Sequence, residues 1–258
     1  MTDLLLREDR DHVAWLTMNR PEQRNALSVG LMSAMEAALE AVARDPAVRV
    51  VVIGGAGPAF CAGHDLKEMR ANSGEASHQA LFTQCSRLMQ AIVHLPKPVI
   101  ARVHGIATAA GCQLVASCDL AVAADSAPFA TPGVNIGLFC STPMVALTRA
   151  VGRKAAMEML LTGDLIDAER AREIGLINRV VPASELDRAT AALAGQIAAK
   201  SPLTVAIGKT AFYRQAEMDL AGAYAFAAET MTRNMMARDA AEGIDAFIGK
   251  RAPVWSGS

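Results

Sequence analysis

The feature that most restricts the fold of this chain occurs twice: an apolar run that ends in a turn of small residues. The first is VVVIGGAGPAFCAGHDLKEM at 50–69 and the second is VIARVHGIATAAGCQL at 99–114. Apolar runs bounded by glycines read as buried strands, here 48–53 and 99–103. The second turn leads into 111–117, which reads as a short helix, and 119–123 is the next strand. Residues 12–18 alternate and give an earlier strand. Ser28 caps a following helix, in which Leu31, Met35, Leu39 and Val42 recur at helical spacing. RANSGEA at 70–76 reads as a mobile loop, and 79–94 as a helix that LPKP stops. Strands and helices thus alternate to about residue 130, which predicts an α/β fold with a mostly parallel sheet.

Beyond Pro143 the pattern is almost wholly helical, with segments at 141–151, 154–162, 167–174 and 184–200, then an Ala- and Met-rich stretch at 203–249. We divide the chain into a ligand-binding core, 1–195, and a helical oligomerisation region, 196–258. So apolar a tail packs on its own chain or on a partner subunit.

Several function classes are excluded. With 52% hydrophobic and 20% charged residues among 258, the chain can bury a sizeable core. Its net charge of −1 and lack of a basic, aromatic-interleaved patch argue against nucleic acid. The most apolar stretch, 105–118, is too short to cross a bilayer and contains Gln113 and Ser117, so no membrane partner is expected. The start, MTDLLLREDRDH, does not read as a secretory signal. Five cysteines without a C-x-x-C pair read as reduced thiols, and a cytoplasmic protein is expected. Phe60 stands where a dinucleotide fingerprint needs its third glycine, and Leu203 breaks a phosphate-loop reading of GKT at 208–210. The five histidines lack metal-ligand spacing, so no metal is expected.

In both turns the small residues leave backbone N–H groups unobstructed, and the second turn feeds a helix N-terminus with its partial positive charge. Two facing N–H groups would make an oxyanion hole. Glycine-rich turns also serve as plain tight connections, and the residues alone leave both readings open.

AFCAGHDL (59–66) and HGIATAAGCQL (104–114) resemble signature segments of the enoyl-CoA hydratase/isomerase family, the crotonase superfamily. NRPEQRNALS (19–28) is similar to that family's adenine-side loop, and EGIDAFIGKR (242–251) to its C-terminal signature. The resemblance covers nearly the whole chain. It implies a ClpP-like spiral of ββα units followed by a helical trimerisation region, assembled as a homotrimer or a dimer of trimers. It also implies an acyl-CoA thioester ligand and lyase or isomerase chemistry in lipid metabolism. Coenzyme A enters as part of the substrate, with no separate cofactor.

Carried over by position, the resemblance assigns the oxyanion-hole N–H groups to His64 and Ala110. It places the ligand among Gln23, Arg24 and Ala26 of the 19–28 loop, Ala62, Asp65, Leu66 and Lys67 around the first turn, and Ile106 and Gly111 around the second. Pro132 and Leu138 follow, Arg24, Lys67 and Lys250 are phosphate neighbours, and Phe247 covers the adenine or pantetheine from the same or an adjacent subunit.

Family hydratases carry glutamates at two positions where this chain has Gln113 and Gly133. An amide cannot titrate and glycine has no side chain, so the proton-shuttling pair is missing. Weak or absent hydration of crotonyl-CoA is expected, and restoring both carboxylates is expected to raise it. A bound anion, a water or the substrate's own carboxylate over Gly133 is one replacement. His64, Cys61, Asn135, Cys140 and Ser141 are the local side chains that could assist. Three readings stay open: an acyl-CoA enzyme with another base, an acyl-CoA-binding or regulatory protein without turnover, and a scaffold with a vestigial pocket.

Overall fold

The computed structural model describes residues 3–258. In chain order, β1 (Leu5–Arg10) and β2 (Val13–Met18) precede α1 (Val29–Arg44), and β3 (Val50–Gly55) and β4 (Ala59–Cys61) precede α2 (Leu66–Ala71) and α3 (Glu75–His94). Next come β5 (Val99–Val103), β6 (Ile106–Thr108), α4 (Ala110–Ser117), β7 (Leu120–Ala124) and β8 (Phe129–Ala130). Helices α5 (Ser141–Ala150), α6 (Arg153–Thr162) and α7 (Ala168–Glu173) lead to β9 (Arg179–Val181) and α8 (Leu186–Ala198). The chain closes with α9 (Pro202–Gln215), α10 (Leu220–Met235) and α11 (Arg238–Ile248).

Two sheets organise these elements. One has the order β1-β2-β3-β5-β7-β9, parallel except at β1, and the other is a parallel β4-β6-β8. The units that begin at β3, β5 and β7 each run one strand in the large sheet, one in the small sheet, then helix, which is the repeating ββα spiral expected. Residues 50–55 are buried throughout because β3 lies centrally in its sheet. Ser28 caps α1 by accepting from the Leu31 N–H at 3.2 Å, and Leu31, Met35, Leu39 and Val42 face the core.

The structure corrects several expectations. β1 was not anticipated: its residues are mostly exposed and charged, and antiparallel pairing at a sheet edge needs only the backbone. β9 interrupts a stretch read as helical. Residues 70–76 are not a loop: α2 runs to Ala71 and α3 starts at Glu75, leaving only 72–74 between them. The helical stretch read at 203–249 holds as three helices, with GKT inside α9. Residue 195 falls within α8, whose Leu186, Leu193, Ala194 and Ala198 are buried and which packs on the large sheet.

One ionic joint fastens α9 to the sheet. The Lys209 ammonium donates to Asp119 Oδ2 at 2.7 Å and to the Ile92 and Lys97 carbonyls, and the Tyr213 hydroxyl donates to Asp119 Oδ1 at 2.9 Å. Asp119 also accepts the Val99 N–H at the start of β5. Beyond this joint the terminal helices leave apolar side chains uncovered, including Phe212, Leu220, Tyr224, Met236, Phe247 and Ile248. Among the described residues no helix is long and apolar enough to cross a membrane.

Candidate functional site

The two small-residue turns abut. A Cβ on Gly63 would lie 3.0 Å from Ala109 Cβ and 3.6 Å from Ala110 N, and one on Gly111 would lie 2.1 Å from the Cys61 carbonyl oxygen. Only glycine at 111 lets the two backbones approach this closely. The 19–28 loop wraps the first turn: the Ala62 N–H donates to Arg24 O at 3.0 Å and the Leu27 N–H to Gly63 O at 2.7 Å. Asp65 anchors that loop. It caps α2 by accepting from the Lys67 and Glu68 N–H groups and pairs with Arg20 at 2.9 Å. Burial would raise the Asp65 carboxyl, but the Arg20 guanidinium and these N–H groups outweigh it and hold the group below its usual range.

Among the described residues, the His64 and Ala110 N–H groups have no hydrogen-bond acceptor. Ala110 is the first residue of α4, where an N–H has no intrahelical partner. Ala109, just before it, holds φ 51° and ψ −118°, a conformation that suits glycine. The His64 ring stands edge-on to Phe82 at 5.6 Å, and burial pushes its proton affinity below the ordinary value.

Gln113 is buried on α4, its Oε1 3.8 Å from Cys85 Sγ. The Gly133 position is not open. A Cβ there would lie 2.5 Å from the Leu138 carbonyl oxygen and 2.9 Å from Cys140 Sγ. An anion therefore has no room at the place where a side chain would begin. Restoring a glutamate at 133 meets the Leu138 carbonyl first, so the turn must shift before both carboxylates can be placed.

The other local candidates offer little acid–base chemistry. Burial pushes the Cys61, Cys85 and Cys112 thiols up to about 12 and raises Cys140 as well. Ser141 and Asn135 are exposed, and the Ser141 hydroxyl donates to Phe139 O at 3.3 Å.

The ligand candidates gather only in part. Gln23, Arg24 and Ala26 lie in the loop over the first turn, Ala62 is bonded into it, and Leu66 and Lys67 form the exposed first turn of α2. Ile106 is in β6, Gly111 in α4, Pro132 in a 3-10 turn, and Leu138 is exposed. Phe247 lies in the last turn of α11, which packs on α9 and α10, and is 86% exposed, and Lys250 follows two residues past the end of that helix. Cavities of 270 Å³ beside Met159 and Arg170 and of 180 Å³ beside Trp15 and Arg102 lie apart from His64, Ala110, Gln113 and Gly133. Sequence reasoning missed Arg20, Phe82, Cys85 and Ala109 because each acts through a neighbour distant in sequence or through backbone angle.

The family model for enoyl-CoA hydratase/isomerase matches residues 8–258. The chain is 47% identical over 247 residues to the mitochondrial enoyl-CoA hydratase domain-containing protein 3 of Rattus norvegicus, covering 96% of this chain and 82% of that protein. A crystal structure of enoyl-CoA hydratase from Mycobacterium smegmatis superposes with TM-score 0.96 at 54% identity, covering 98% of this chain and 99% of that one. The human enoyl-CoA hydratase domain-containing protein 3 structure superposes with TM-score 0.96 at 46% identity, covering 98% and 100%. The expected cytoplasmic placement is corrected by these comparisons: the rat protein and its mouse, frog and human counterparts are mitochondrial by name.

Proposed function

The chain belongs to the enoyl-CoA hydratase/isomerase family, and on that premise we propose that it binds an acyl-CoA thioester and stabilises its enolate without the hydratase glutamate pair. The observation that carries this reading is the pair of unpartnered N–H groups on abutting turns, His64 and Ala110, the second at the start of α4. Both would donate to the thioester oxygen, whose negative charge grows as the C2 proton passes to a water or to the substrate's own carboxylate and the enolate forms. One such donor contributes about 3 kcal/mol of transition-state stabilisation. Gln113 can orient a polar group or a water by hydrogen bonding but cannot move a proton at neutral pH.

Arg24, Lys67 and Lys250 are the proposed phosphate contacts, and coenzyme A is carried by the substrate rather than as a separate cofactor. The uncovered apolar residues of α9–α11 support a homotrimer or a dimer of trimers, in which Phe247 reaches the ligand of an adjacent subunit. The resemblance to mitochondrial relatives favours lipid metabolism in that compartment.

A second reading, an acyl-CoA-binding or regulatory protein without turnover, is favoured by one observation: Gln113 and Gly133 supply no carboxylate and the nearby thiols stay protonated. Isothermal titration with butyryl-CoA and crotonyl-CoA, together with a crotonyl-CoA hydration assay, tests both readings. Saturable binding with weak or absent hydration is expected. Absence of binding would refute the thioester site, and rapid hydration would refute the missing-pair argument. Exchange of C2 protons of butyryl-CoA with deuterated solvent separates the two readings, because only enolate formation drives it.

A further inference from the structure

The cavity beside Trp15 and Arg102 has no part in the thioester reading, yet its walls carry more polar chemistry than packing needs. It measures 180 Å³ and opens on one face of the large sheet. Strand register puts Glu8 and Arg10 of β1, Trp15 and Thr17 of β2 and Gly54 of β3 on that face, and Arg102 of β5 leans over Gly54. Asp187, in the first turn of α8, stands at the rim and accepts from Arg102 Nε.

Three of these groups go unused by the fold. Trp15 Nε1 is shut off from solvent and has no acceptor, although buried polar atoms nearly always find a partner. Arg10 covers that indole, its guanidinium 4.3 Å above the ring. The Arg10 side chain is 50% exposed and its Glu8 contact is long, at 3.4 Å, so it is free to swing aside. Among the described residues, Arg102 donates only through Nε, and both Nη nitrogens are left without an acceptor. Gly54, unlike its neighbour, is not required by its backbone. Its φ is not left-handed, and a Cβ there would make ordinary contacts, 3.7 Å from Arg102 Cδ and 4.0 Å from one Arg102 Nη. A Cβ on Gly55 would lie 2.7 Å from the Phe60 carbonyl oxygen. Glycine at 54 therefore keeps open a floor that a side chain would fill.

We propose that this cavity is a second ligand site, one that takes a short-chain monocarboxylate with its two oxygens on the Arg102 Nη groups and the Trp15 indole N–H. A guanidinium edge with two free nitrogens matches a carboxylate, which has lone pairs left for the indole and the Thr17 hydroxyl. A phosphate dianion would also face the Glu8 and Asp187 carboxylates, and a cation would face Arg10 and Arg102. The Trp15 ring and Val52 give the alkyl end an apolar wall. The volume corresponds to about six waters at roughly 30 Å³ each, which suits an acid the size of butyrate. The site lies near the ends of β3 and β5 and does not depend on how the two turns are read.

The test titrates sodium butyrate into the wild-type protein, against sodium chloride at matched ionic strength, while proton–nitrogen correlation spectra follow the Trp15 indole N–H. Trp255→Phe identifies that signal, since the chain has two tryptophans. The Trp15 resonance is expected to move downfield saturably as an unpaired donor gains an acceptor. Butylamine and inorganic phosphate should leave it in place, and butyryl-CoA should not displace the butyrate. Arg102→Gln is expected to weaken butyrate binding tenfold or more, and Gly54→Val, which fills the floor, to weaken it at least as much. An unmoved Trp15 signal, an equal response to phosphate, unchanged affinity in Arg102→Gln, or displacement by butyryl-CoA would each overturn the proposal. The wild-type spectra decide it even where a variant fails to fold.

Discussion

Replacing Gly133 with alanine should cost measurable stability, because the space its side chain would enter is already filled. The new Cβ would lie 2.5 Å from the Leu138 carbonyl oxygen, 2.9 Å from Cys140 Sγ and 3.3 Å from the Leu138 carbonyl carbon. Carbon atoms in good contact sit about 3.5–4.0 Å apart, so the turn must open by roughly an ångström. It resists, because the Leu138 N–H donates to Gly133 O at 2.9 Å and closes the turn on itself. Overpacking of this kind costs about 1–3 kcal/mol. In a chain of this size each kcal/mol lowers Tm by about 2–4 °C, so a fall of roughly 2–12 °C in thermal unfolding followed by circular dichroism is expected. Gly152→Ala is the control, since a Cβ there meets nothing within 4 Å and φ is −62°. It should stay within about 0.5 kcal/mol of wild type. Cys140→Ala in the Gly133→Ala background removes the sulfur but not the carbonyl, so it should recover the smaller part of the loss. The joint variant Gln113→Glu with Gly133→Glu meets the same backbone and should gain no hydratase activity. An alanine variant as stable as wild type, or a double-glutamate variant that hydrates crotonyl-CoA rapidly, would refute this reasoning.

Three further outcomes are expected. Lys209→Met leaves the half-buried Asp119 carboxylate with only the Tyr213 hydroxyl and the Val99 N–H as partners and should cost up to about 3–5 kcal/mol in urea unfolding; a loss under about 1 kcal/mol would show that the joint holds little. Ala109→Gly removes a strained non-glycine conformation and should raise stability by about 1–3 kcal/mol, whereas a loss would show the strain to be absent. Burial holds His64 and His104 below the ordinary 6.5, so the unfolded chain takes up these protons first as pH falls. Stability present above about pH 6.5 is therefore lost below it, and equal urea midpoints at pH 7.5 and 5.5 would contradict this. Asp65, and Asp239, whose burial is outweighed by the Ser201 and Ser256 hydroxyls and the Ser256 and Gly257 N–H groups, are held below 3.8 and should add a separate loss as pH falls through that value.

The elements legible in the sequence were those whose burial writes a period into it. Ser28 followed by Leu31, Met35, Leu39 and Val42 marks a helix start and its buried face in one line. β1 left no such mark, since an exposed edge strand charged on both faces shows no alternation. The small residues of both turns were plain, and the family resemblance paired them. Their closeness, set by Gly111 against Cys61, is a long-range fact that composition does not carry. The crowding at Gly133 is illegible for a related reason. A glycine looks the same in sequence whether it leaves a space or yields to one, and here the occupant is a carbonyl five residues on.

The joint between Asp119 and Lys209 also orders the making of the protein. The carboxylate sits at the foot of β5, while its cation arrives 90 residues later. At ribosomal speeds of about 5–20 residues per second, roughly 5–18 s separate the two. Through that interval the Asp119 carboxylate lacks its cation and has water as its charge partner. The last helices thus act as a late clasp, and a chain released early would carry an unmatched charge beneath the strand that leads to the second turn.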